Sequence, residues 1–354
     1  MRTTFVTHRR GFLKTSLIGT AAMAAPSLPR LLAAGLPEAA GSPSRVALMA
    51  GEDRADNVFR GLKAFEKEIA QAIGNRRVVI KPNNVAIDIQ LSATHADSLE
   101  AILEFLKSIG KLEGTIIAES AGTGPTWNGF ENYGYMRVAQ KYGVKLLDLD
   151  QEESTLVHVF DQNDFRPHAV RMSKLLLDPG SFLISAAMPK THDRVVTTLS
   201  LKNIIFGAPV KDLGFRWGKG AKPGTKTDKP IAHGGGIYGI NYNLFALAQR
   251  LHPHLAVIDG YAGMEGNGPC NGTAVDHRVA IVATDWLAAD RVAVELMGID
   301  FAKVGYLNYC ADARLGEADL SRIEILGDPI DRHIRQYRLA ANIEEQLTWM
   351  KAKG

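Results

Sequence analysis

Cysteine is the residue type that this chain has least of, since only Cys270 and Cys310 occur among 354 residues. Two thiols are too few for an iron–sulfur cluster held by four cysteines, so no such cluster is expected. The two residues can form one disulfide in an oxidising compartment or remain free, and the sequence leaves both states open.

The chain also lacks a strong net charge and, after residue 41, any long apolar segment. The formal charge is +3, but residues 1–41 contain five basic residues and one acidic residue. Without them the formal charge becomes −1, so nothing favours a nucleic-acid partner. No stretch after residue 41 is long and apolar enough to span a membrane, so no stable span is expected in the rest of the chain.

The N-terminus does carry a distinctive pattern. Arg9 and Arg10 are followed by Gly-Phe-Leu-Lys and then by a weakly apolar, alanine-rich stretch. This order resembles the twin-arginine signal of bacterial precursors. The alternative is a basic, amphipathic N-terminus with an accidental arginine pair. We interpret residues 1–41 as a signal peptide and linker. The resemblance implies the twin-arginine translocation machinery as a partner and a periplasmic or otherwise exported location.

Between residues 42 and 330, short β-branched runs alternate with longer segments whose apolar residues recur every three or four positions. This alternation predicts an α/β fold with a mainly parallel sheet and helices on both faces, built as one large domain or as two closely packed lobes. The predicted strands are 77–81, 115–119, 144–148, 182–185, 255–259 and 279–283. The predicted helices are 56–73, 96–110, 132–142, 241–251 and 287–297.

Two segments stand apart from this alternation. Residues 207–240 are rich in glycine, proline and lysine, which predicts either a solvated loop or a basic flap over an anionic group. Residues 331–354 are predicted to form a C-terminal helix over about 331–351, with Asp328 as its cap and Pro329 in its first turn.

Several predicted strands end in a charged residue, as at Lys81, Glu119 and Asp259. In open parallel sheets, ligands bind at the carboxyl ends of the strands, so these side chains are candidates by position.

Four ordered blocks add a family resemblance. They are Lys81-Pro82-Asn83-Asn84, Pro189-Lys190-Thr191-His192, Leu201-Lys202-Asn203 followed by Gly207, and Asp259-Gly260 followed by Glu265-Gly266-Asn267-Gly268-Pro269. In this order the blocks resemble the family catalogued as domain of unknown function 362, over about residues 45–327. Many of its members add ferredoxin-like cysteine motifs, which this chain lacks. The resemblance therefore implies a fold and a site, but no iron–sulfur chemistry and no specific reaction.

The residue types in these blocks point to an anionic small molecule as ligand. Lys81, Asn83, Lys202 and Asn203 are the candidate substrate-binding residues. The candidate catalytic residues are Lys190, His192 and Glu119. Converging lysines repel one another unless an anion or a carboxylate lies among them. Each lysine can instead form an ordinary ion pair, and His192 can be a hydrogen-bonded structural residue.

A divalent cation is a candidate cofactor, although the cofactor stays unknown. Asp259, Glu265 and Asp285 offer oxygen ligands for Mg²⁺ or Ca²⁺. The glycines between Asp259 and Pro269 would let a loop fold onto the ion, whereas Asp259 can equally serve only to turn the chain. No zinc spacing of histidines or cysteines occurs near His192.

These observations predict an exported enzyme that transfers a proton, or isomerises its substrate, next to a carboxylate. Two alternatives remain open. One is a non-catalytic periplasmic protein that binds a ligand or metal. The other is an accessory component of an exported redox complex.

Overall fold

The computed structural model describes residues 43–351. The predicted signal segment 1–41, with Arg9 and Arg10, lies outside the described residues. No helix among the described residues has both the length and the apolar character needed to cross a membrane.

Twelve strands occur in the described part of the chain. They are β1 (Ser44–Ala50), β2 (Arg77–Pro82), β3 (Ile116–Glu119), β4 (Lys145–Asp148), β5 (Ser154–Asp161), β6 (Arg166–Ser173), β7 (Ser181–Ala187), β8 (Lys190–His192), β9 (Val196–Thr198), β10 (Leu255–Asn267), β11 (Asn271–Ala283) and β12 (Ile323–Gly327). The main sheet has the order β12-β1-β11-β10-β7-β2-β3-β4, and β8 and β9 extend it beside β10. Strands β5 and β6 form a separate antiparallel hairpin.

The described α-helices are α1 (Arg54–Lys63), α2 (Glu66–Ile73), α3 (Ala96–Ser108), α4 (Thr126–Asn132), α5 (Tyr135–Tyr142), α6 (Lys174–Leu177), α7 (Ser200–Gly207), α8 (Lys229–Ala232), α9 (Ile237–Ala248), α10 (Trp286–Leu296), α11 (Gly305–Asp312) and α12 (Ile343–Gln346). They cover both faces of the main sheet. Side chains alternate between the faces along a strand. Accordingly, Val79 packs in one apolar cluster with α7, α9, α10 and α11, while Val78 and Ile80 pack in another with α1, α2, α3 and α5. The described residues belong to one compact unit, and the predicted α/β class with a mainly parallel sheet is confirmed.

The parallel part of the sheet has a topological switch point. From β2 the chain moves outward through β3 to β4, and it then returns to place β7 on the other side of β2. Ligands in doubly wound folds bind at the carboxyl edge of the sheet where the strand order reverses in this way. The carboxyl ends of β2 and β7 therefore define where a site is expected.

The segment from Asp259 to Pro269 is not the flexible loop expected from its glycines. Strand β10 continues to Asn267 and pairs antiparallel with β11 as a long hairpin. The backbone at Gly263 is covered by the buried Tyr337, whose hydroxyl would lie 1.9 Å from a Cβ at that position. The glycine is therefore required by the close approach of an aromatic ring, rather than by a bend around an ion.

The predicted C-terminal helix over 331–351 is wrong. A 3₁₀ turn at Ile330–Arg332 is followed by extended chain, the short α12 and a second 3₁₀ turn at Leu347–Met350. The backbone amides of Arg335 and Tyr337 donate to the carbonyl oxygens of Leu296 and Met297 at the end of α10. Asp328 does not cap a helix, because its carboxylate accepts from the Ala50 amide. These long-range bonds replace the local bonds of a helix.

The predicted flap is shorter than 207–240. Gly207 ends α7, α8 begins at Lys229, and α9 begins at Ile237, so the irregular chain is 208–228. We call residues 208–228 the basic loop. Its two ends are joined by a backbone hydrogen bond of 2.8 Å from Asp212 to Lys226.

Candidate functional site

Lys81 and Glu119 form a buried ion pair at the carboxyl ends of β2 and β3. The Lys81 ammonium lies 2.7 Å and 2.8 Å from the two carboxylate oxygens, and each side chain is 1% exposed. The backbone amide of Ser120 also donates to Glu119, at 2.8 Å. Burial lowers the pKa of Lys81, while the Glu119 charge opposes that shift. Both predicted side chains are at the site, but Glu119 is fully engaged and fits a role in holding Lys81.

Gly207, at the end of α7, makes room for the Lys81 side chain. A Cβ at this position would lie 1.9 Å from Lys81 Cε and 2.4 Å from its ammonium nitrogen. Any larger residue would displace the lysine from Glu119. The glycine that follows the Leu201-Lys202-Asn203 block is thus explained by close packing.

Two asparagines connect Lys81 to Lys190. Asn203 Oδ1 accepts from Lys81 at 3.1 Å and from Asn83 Nδ2 at 3.0 Å, while its own Nδ2 donates to Ser185 Oγ at 3.0 Å. Lys190 donates to Asn83 Oδ1 and, at 2.9 Å, to the carbonyl oxygen of Ser92. The two amides therefore fix both ammonium groups in one network.

Lys190 lies in β8, just beyond the carboxyl end of β7, and is fully buried. Its hydrogen-bond acceptors are uncharged oxygens. Burial, with a smaller contribution from the nearby Lys202 and Lys81 charges, lowers its pKa to about 7. An amine with this pKa is partly neutral near pH 7, which is the condition for accepting a proton.

Lys202 is the third lysine of this region, in the first turn of α7. It is 7% exposed, and its ammonium lies 5.2 Å from the centroid of the Phe206 ring. Within residues 43–351 it has no hydrogen-bond acceptor and no ion-pair partner. Burial lowers its pKa to about 8. We call Lys81, Lys190 and Lys202, together with Glu119, the lysine cluster.

Two histidines border the lysine cluster. His192 Nδ1 accepts from the Arg194 amide at 2.9 Å, so its ring proton is on Nε2. Burial and the Lys202 charge hold the pKa of His192 well below its usual value, so the ring is neutral. His233 stacks on Phe206 with 4.6 Å between ring centroids. His233 Nδ1 lies 2.6 Å from the carbonyl oxygen of Lys229.

Cys270 is a member of this region that the sequence motifs did not single out. It follows Pro269 at the end of the β10 block and is a half-buried free thiol. Burial raises its pKa, and the charges of Lys190 and Lys202 oppose that shift. The other cysteine, Cys310, is a free and fully buried thiol. The disulfide left open by the sequence is therefore absent between these two residues. Its position directly after Gly268-Pro269, in the last family block, is the sequence feature that could have placed Cys270 at the site.

A second buried pair lies beside the lysine cluster and was also missed. Lys211, from the basic loop, pairs with Asp150, and both side chains are 2% exposed. Ser120, next to Glu119, donates to Asp150 at 2.7 Å. Asp148 lies nearby at the end of β4, where burial and the Asp150 charge raise its pKa to about 6. Thus one end of the basic loop is tied into the same sheet edge as Glu119.

The three proposed metal ligands do not come together. Asp259 lies 3.4 Å from Arg54 Nε and accepts from the Tyr261 amide. Glu265 is six residues further along β10, roughly 20 Å at the usual strand rise, and it accepts from the Arg338 amide. Asp285 caps α10 through Leu287 and Ala288. Residues 43–351 contain no group of three or more histidine, cysteine or carboxylate side chains placed to hold a metal ion.

The fold and the site thus define an α/β protein whose switch point holds three buried lysines and one carboxylate. The family model described as "Domain of unknown function (DUF362)" matches residues 78–295, and the chain belongs to that family. The chain is also similar to a thylakoid-associated protein of Synechocystis sp., with 21% identity over 242 residues and 68% of each chain covered. The family resemblance expected from the four blocks is confirmed, over a narrower range than 45–327.

Proposed function

We propose that this protein is an exported enzyme that binds a small anionic molecule at the lysine cluster and transfers a proton next to its carboxylate. The observation that carries the proposal is Lys202, a nearly buried lysine without a hydrogen-bond acceptor or ion-pair partner among the described residues. Because Glu119 neutralises only one of three ammonium groups, the cluster has an excess of positive charge. A carboxylate or phosphate would supply the missing negative charge.

The geometry suggests a role for each predicted residue. Lys202 would bind the anionic group, and Lys190 would accept the proton as a neutral amine. His192 would stabilise the oxygen of an enolate-like intermediate, because its Nε2–H forms no hydrogen bond to a described residue. In this scheme the C–H bond next to the carboxylate breaks, its proton moves to the neutral Lys190 Nζ, and its electron pair enters the enolate-like intermediate. The Lys190 ammonium, whose protons exchange with solvent, then returns a proton to the same carbon and becomes neutral again.

The remaining predicted residues would position these groups. Glu119 holds Lys81, while Asn83 and Asn203 hold Lys190 and Lys81 at fixed distances. Such preorganised networks keep ammonium groups in place without reorganisation during the reaction.

Binding can be tested with purified protein and a panel of mono- and dicarboxylates and inorganic phosphate. The shift in melting temperature identifies the tightest ligand, and native mass spectrometry identifies any cargo retained on gentle purification. Lys202→Met is expected to keep the fold but to lose the ligand-induced shift. The surface variant Lys219→Met is the control. An unchanged shift in Lys202→Met would remove the basis of the proposal.

Catalysis is tested separately by nuclear magnetic resonance in D₂O. The enzyme is expected to exchange the proton next to the carboxylate of the bound ligand for deuterium. Lys190→Met should abolish the exchange while the melting temperature of the ligand-free protein stays close to that of the wild type.

The second candidate function is a non-catalytic protein that binds an anionic ligand. The engagement of Glu119 favours it, because the one carboxylate of the lysine cluster already has two partners in Lys81 and the Ser120 amide. Ligand-induced stabilisation without any deuterium exchange across the panel would support this candidate and contradict the enzyme.

A further inference from the structure

The basic loop exposes large apolar side chains to solvent. Leu213 is 56% exposed and Trp217 is 58% exposed, and Trp127 of the neighbouring α4 is 38% exposed. Single exposed apolar residues are common on protein surfaces, but a contiguous group indicates an interaction site.

These side chains form one patch. Phe215 contacts Trp217 edge to face, with 5.3 Å between ring centroids. Leu213, Phe215 and Trp127 line the same surface cavity of about 220 Å³. The Trp217 amide donates to the Thr123 carbonyl at 3.0 Å, which fixes the loop against the segment that leads into α4. We call the exposed Trp127, Leu213 and Trp217, together with the buried Phe215 that contacts Trp217, the apolar patch.

The basic loop carries four cations besides Lys211, and the cavity that Leu213 and Phe215 line also contains the carboxylates of Asp148, Asp150 and Asp212. Lys219, Lys222 and Lys226 are exposed, and Arg216 is half-buried. Arg216, Lys219 and Lys222 form no ion pair with any described residue, and Asp212 of the same loop is already paired with Arg171. The rest of the chain after residue 41 is close to neutral, so this positive charge is local.

The loop is held in shape at its base. Lys211 pairs with the buried Asp150 at one end of the loop. At the other end, Asp228 Oδ1 lies 2.8 Å from Arg171 Nη2. A surface that is already ordered loses less conformational entropy when it binds a partner. The inward-facing Lys211 thus belongs to the framework, while the middle of the loop faces solvent.

We propose that the basic loop and Trp127 bind the surface of an anionic lipid bilayer. Tryptophan is favoured at the boundary between lipid headgroups and hydrocarbon, and exposed lysines are attracted to anionic headgroups. Exposed apolar side chains in a loop with unpaired cations match that layer better than they match an acidic protein, which would leave the apolar patch uncovered. The proposal uses no residue of the lysine cluster and therefore does not depend on the proposed function.

Vesicle flotation tests the proposal with the full chain. The protein is expected to float with phosphatidylcholine vesicles that contain a third of phosphatidylglycerol, and to float much less with phosphatidylcholine alone. Binding should fall at about 0.5 M salt, where surface charges are screened. The double variants Leu213→Ala/Trp217→Ala and Lys219→Gln/Lys222→Gln should each lower the partition coefficient about tenfold or more.

Phe165→Ala is the matched control, because Phe165 is 73% exposed at the β5–β6 turn, outside the basic loop. It should bind vesicles like the wild type. As a second measurement, brominated lipids should quench tryptophan fluorescence, and Trp217→Phe should lose most of the quenching. Equal binding to neutral and anionic vesicles, or binding unchanged in both double variants, would overturn the proposal. Retention on immobilised polyglutamate without vesicle binding would instead identify an acidic protein as the partner.

Discussion

Lys81 and Glu119 form an ion pair in which each side chain is 1% exposed, so each buried charge is stabilised mainly by the other. Removing one partner from such a pair leaves an uncompensated buried charge, which typically costs about 3–5 kcal/mol. We expect Lys81→Met to lower the free energy of unfolding by this amount, as measured by urea denaturation. The double variant Lys81→Met/Glu119→Gln should be more stable than Lys81→Met alone. A double variant that is less stable than the single one would show that the pair is not the dominant interaction there.

Lys202 makes the stability of the protein depend on pH. Its folded pKa of about 8 lies below the ordinary lysine value of about 10.4, so between these values the unfolded chain binds more protons than the folded one. The contribution of Lys202 is therefore unfavourable below its folded pKa, and it improves as the pH rises from about 8 towards 10. The slope from one such group is at most about 1.4 kcal/mol per pH unit.

The test compares the free energy of unfolding of the wild type with that of Lys202→Met. Because other groups also contribute to the pH dependence of stability, we compare wild type with Lys202→Met at each pH. Lys202→Met should be the more stable protein at pH 7, and its advantage should shrink towards pH 10. Urea denaturation without ligand measures this, and a constant difference across the range would show that Lys202 keeps its ordinary pKa.

At the scale of single elements, α7 places both Lys202 and Asn203, and its N-terminus is capped from a distance. Residue Leu199 offers no side-chain cap, but the buried Asp290 of α10 accepts from the Ser200 amide at 2.9 Å and from the Leu201 amide at 3.1 Å. Burial raises the pKa of Asp290 to about 7.

Asp290→Ala tests this contact. The loss of a cap usually costs about 0.5–2 kcal/mol of stability, and the displaced first turn should also weaken ligand binding through Lys202. Asp285→Ala is the control, because Asp285 caps α10 in the same way but does not touch α7. Both variants should melt earlier, whereas only Asp290→Ala should lose the melting-temperature shift given by the best carboxylate of the panel. Equal loss in both would point to general destabilisation.

Elements with a local signal were predictable. The strand ending at Lys81 and the strand ending at Glu119 appear within one residue of their predicted bounds, because buried strands show β-branched runs whatever surrounds them. The meeting of Lys81, Lys190 and Lys202 at one sheet edge followed from strand-end positions and from the family blocks. The hydrogen-bond partner of each lysine could not be predicted, because Asn83 and Asn203, which hold Lys81 and Lys190, are 120 residues apart in the sequence.

Features that depend on distant contacts were missed. The Asp150–Lys211 pair joins the turn after β4 to the basic loop across 61 residues, and neither residue lies in one of the four family blocks. The β10–β11 hairpin is not predictable from its glycines, because Gly263 is required by the packing of Tyr337, which lies far along the chain. The same applies to the predicted C-terminal helix, whose backbone partners belong to α10 and β10.

At the scale of the whole molecule, one sheet edge serves two surfaces. The carboxyl ends of β2 and β3 hold the lysine cluster, and Ser120 links Glu119 to the Asp150–Lys211 pair at the base of the basic loop. The loop therefore stands over the same edge, with its remaining cations turned to solvent. The proposed lipid contact would bring this sheet edge close to the bilayer surface.

Export is the property of the whole chain that its N-terminus predicts. Arg9 and Arg10 resemble the paired arginines of a twin-arginine signal. We expect Arg9→Lys/Arg10→Lys, expressed with a C-terminal tag in a bacterium that has this pathway, to accumulate in the cytoplasm as the uncleaved precursor. The wild type should appear in the periplasmic fraction as a shorter protein.

The control for this experiment is Arg30→Lys, which changes an arginine of the same segment outside the pair. It should be exported like the wild type. Export of the paired-arginine variant at the wild-type level would mean that the pair is accidental and that it does not direct the export of this chain. Retention of that variant, together with normal export of Arg30→Lys, would mean that the paired arginines direct the export of the chain, as the twin-arginine route requires.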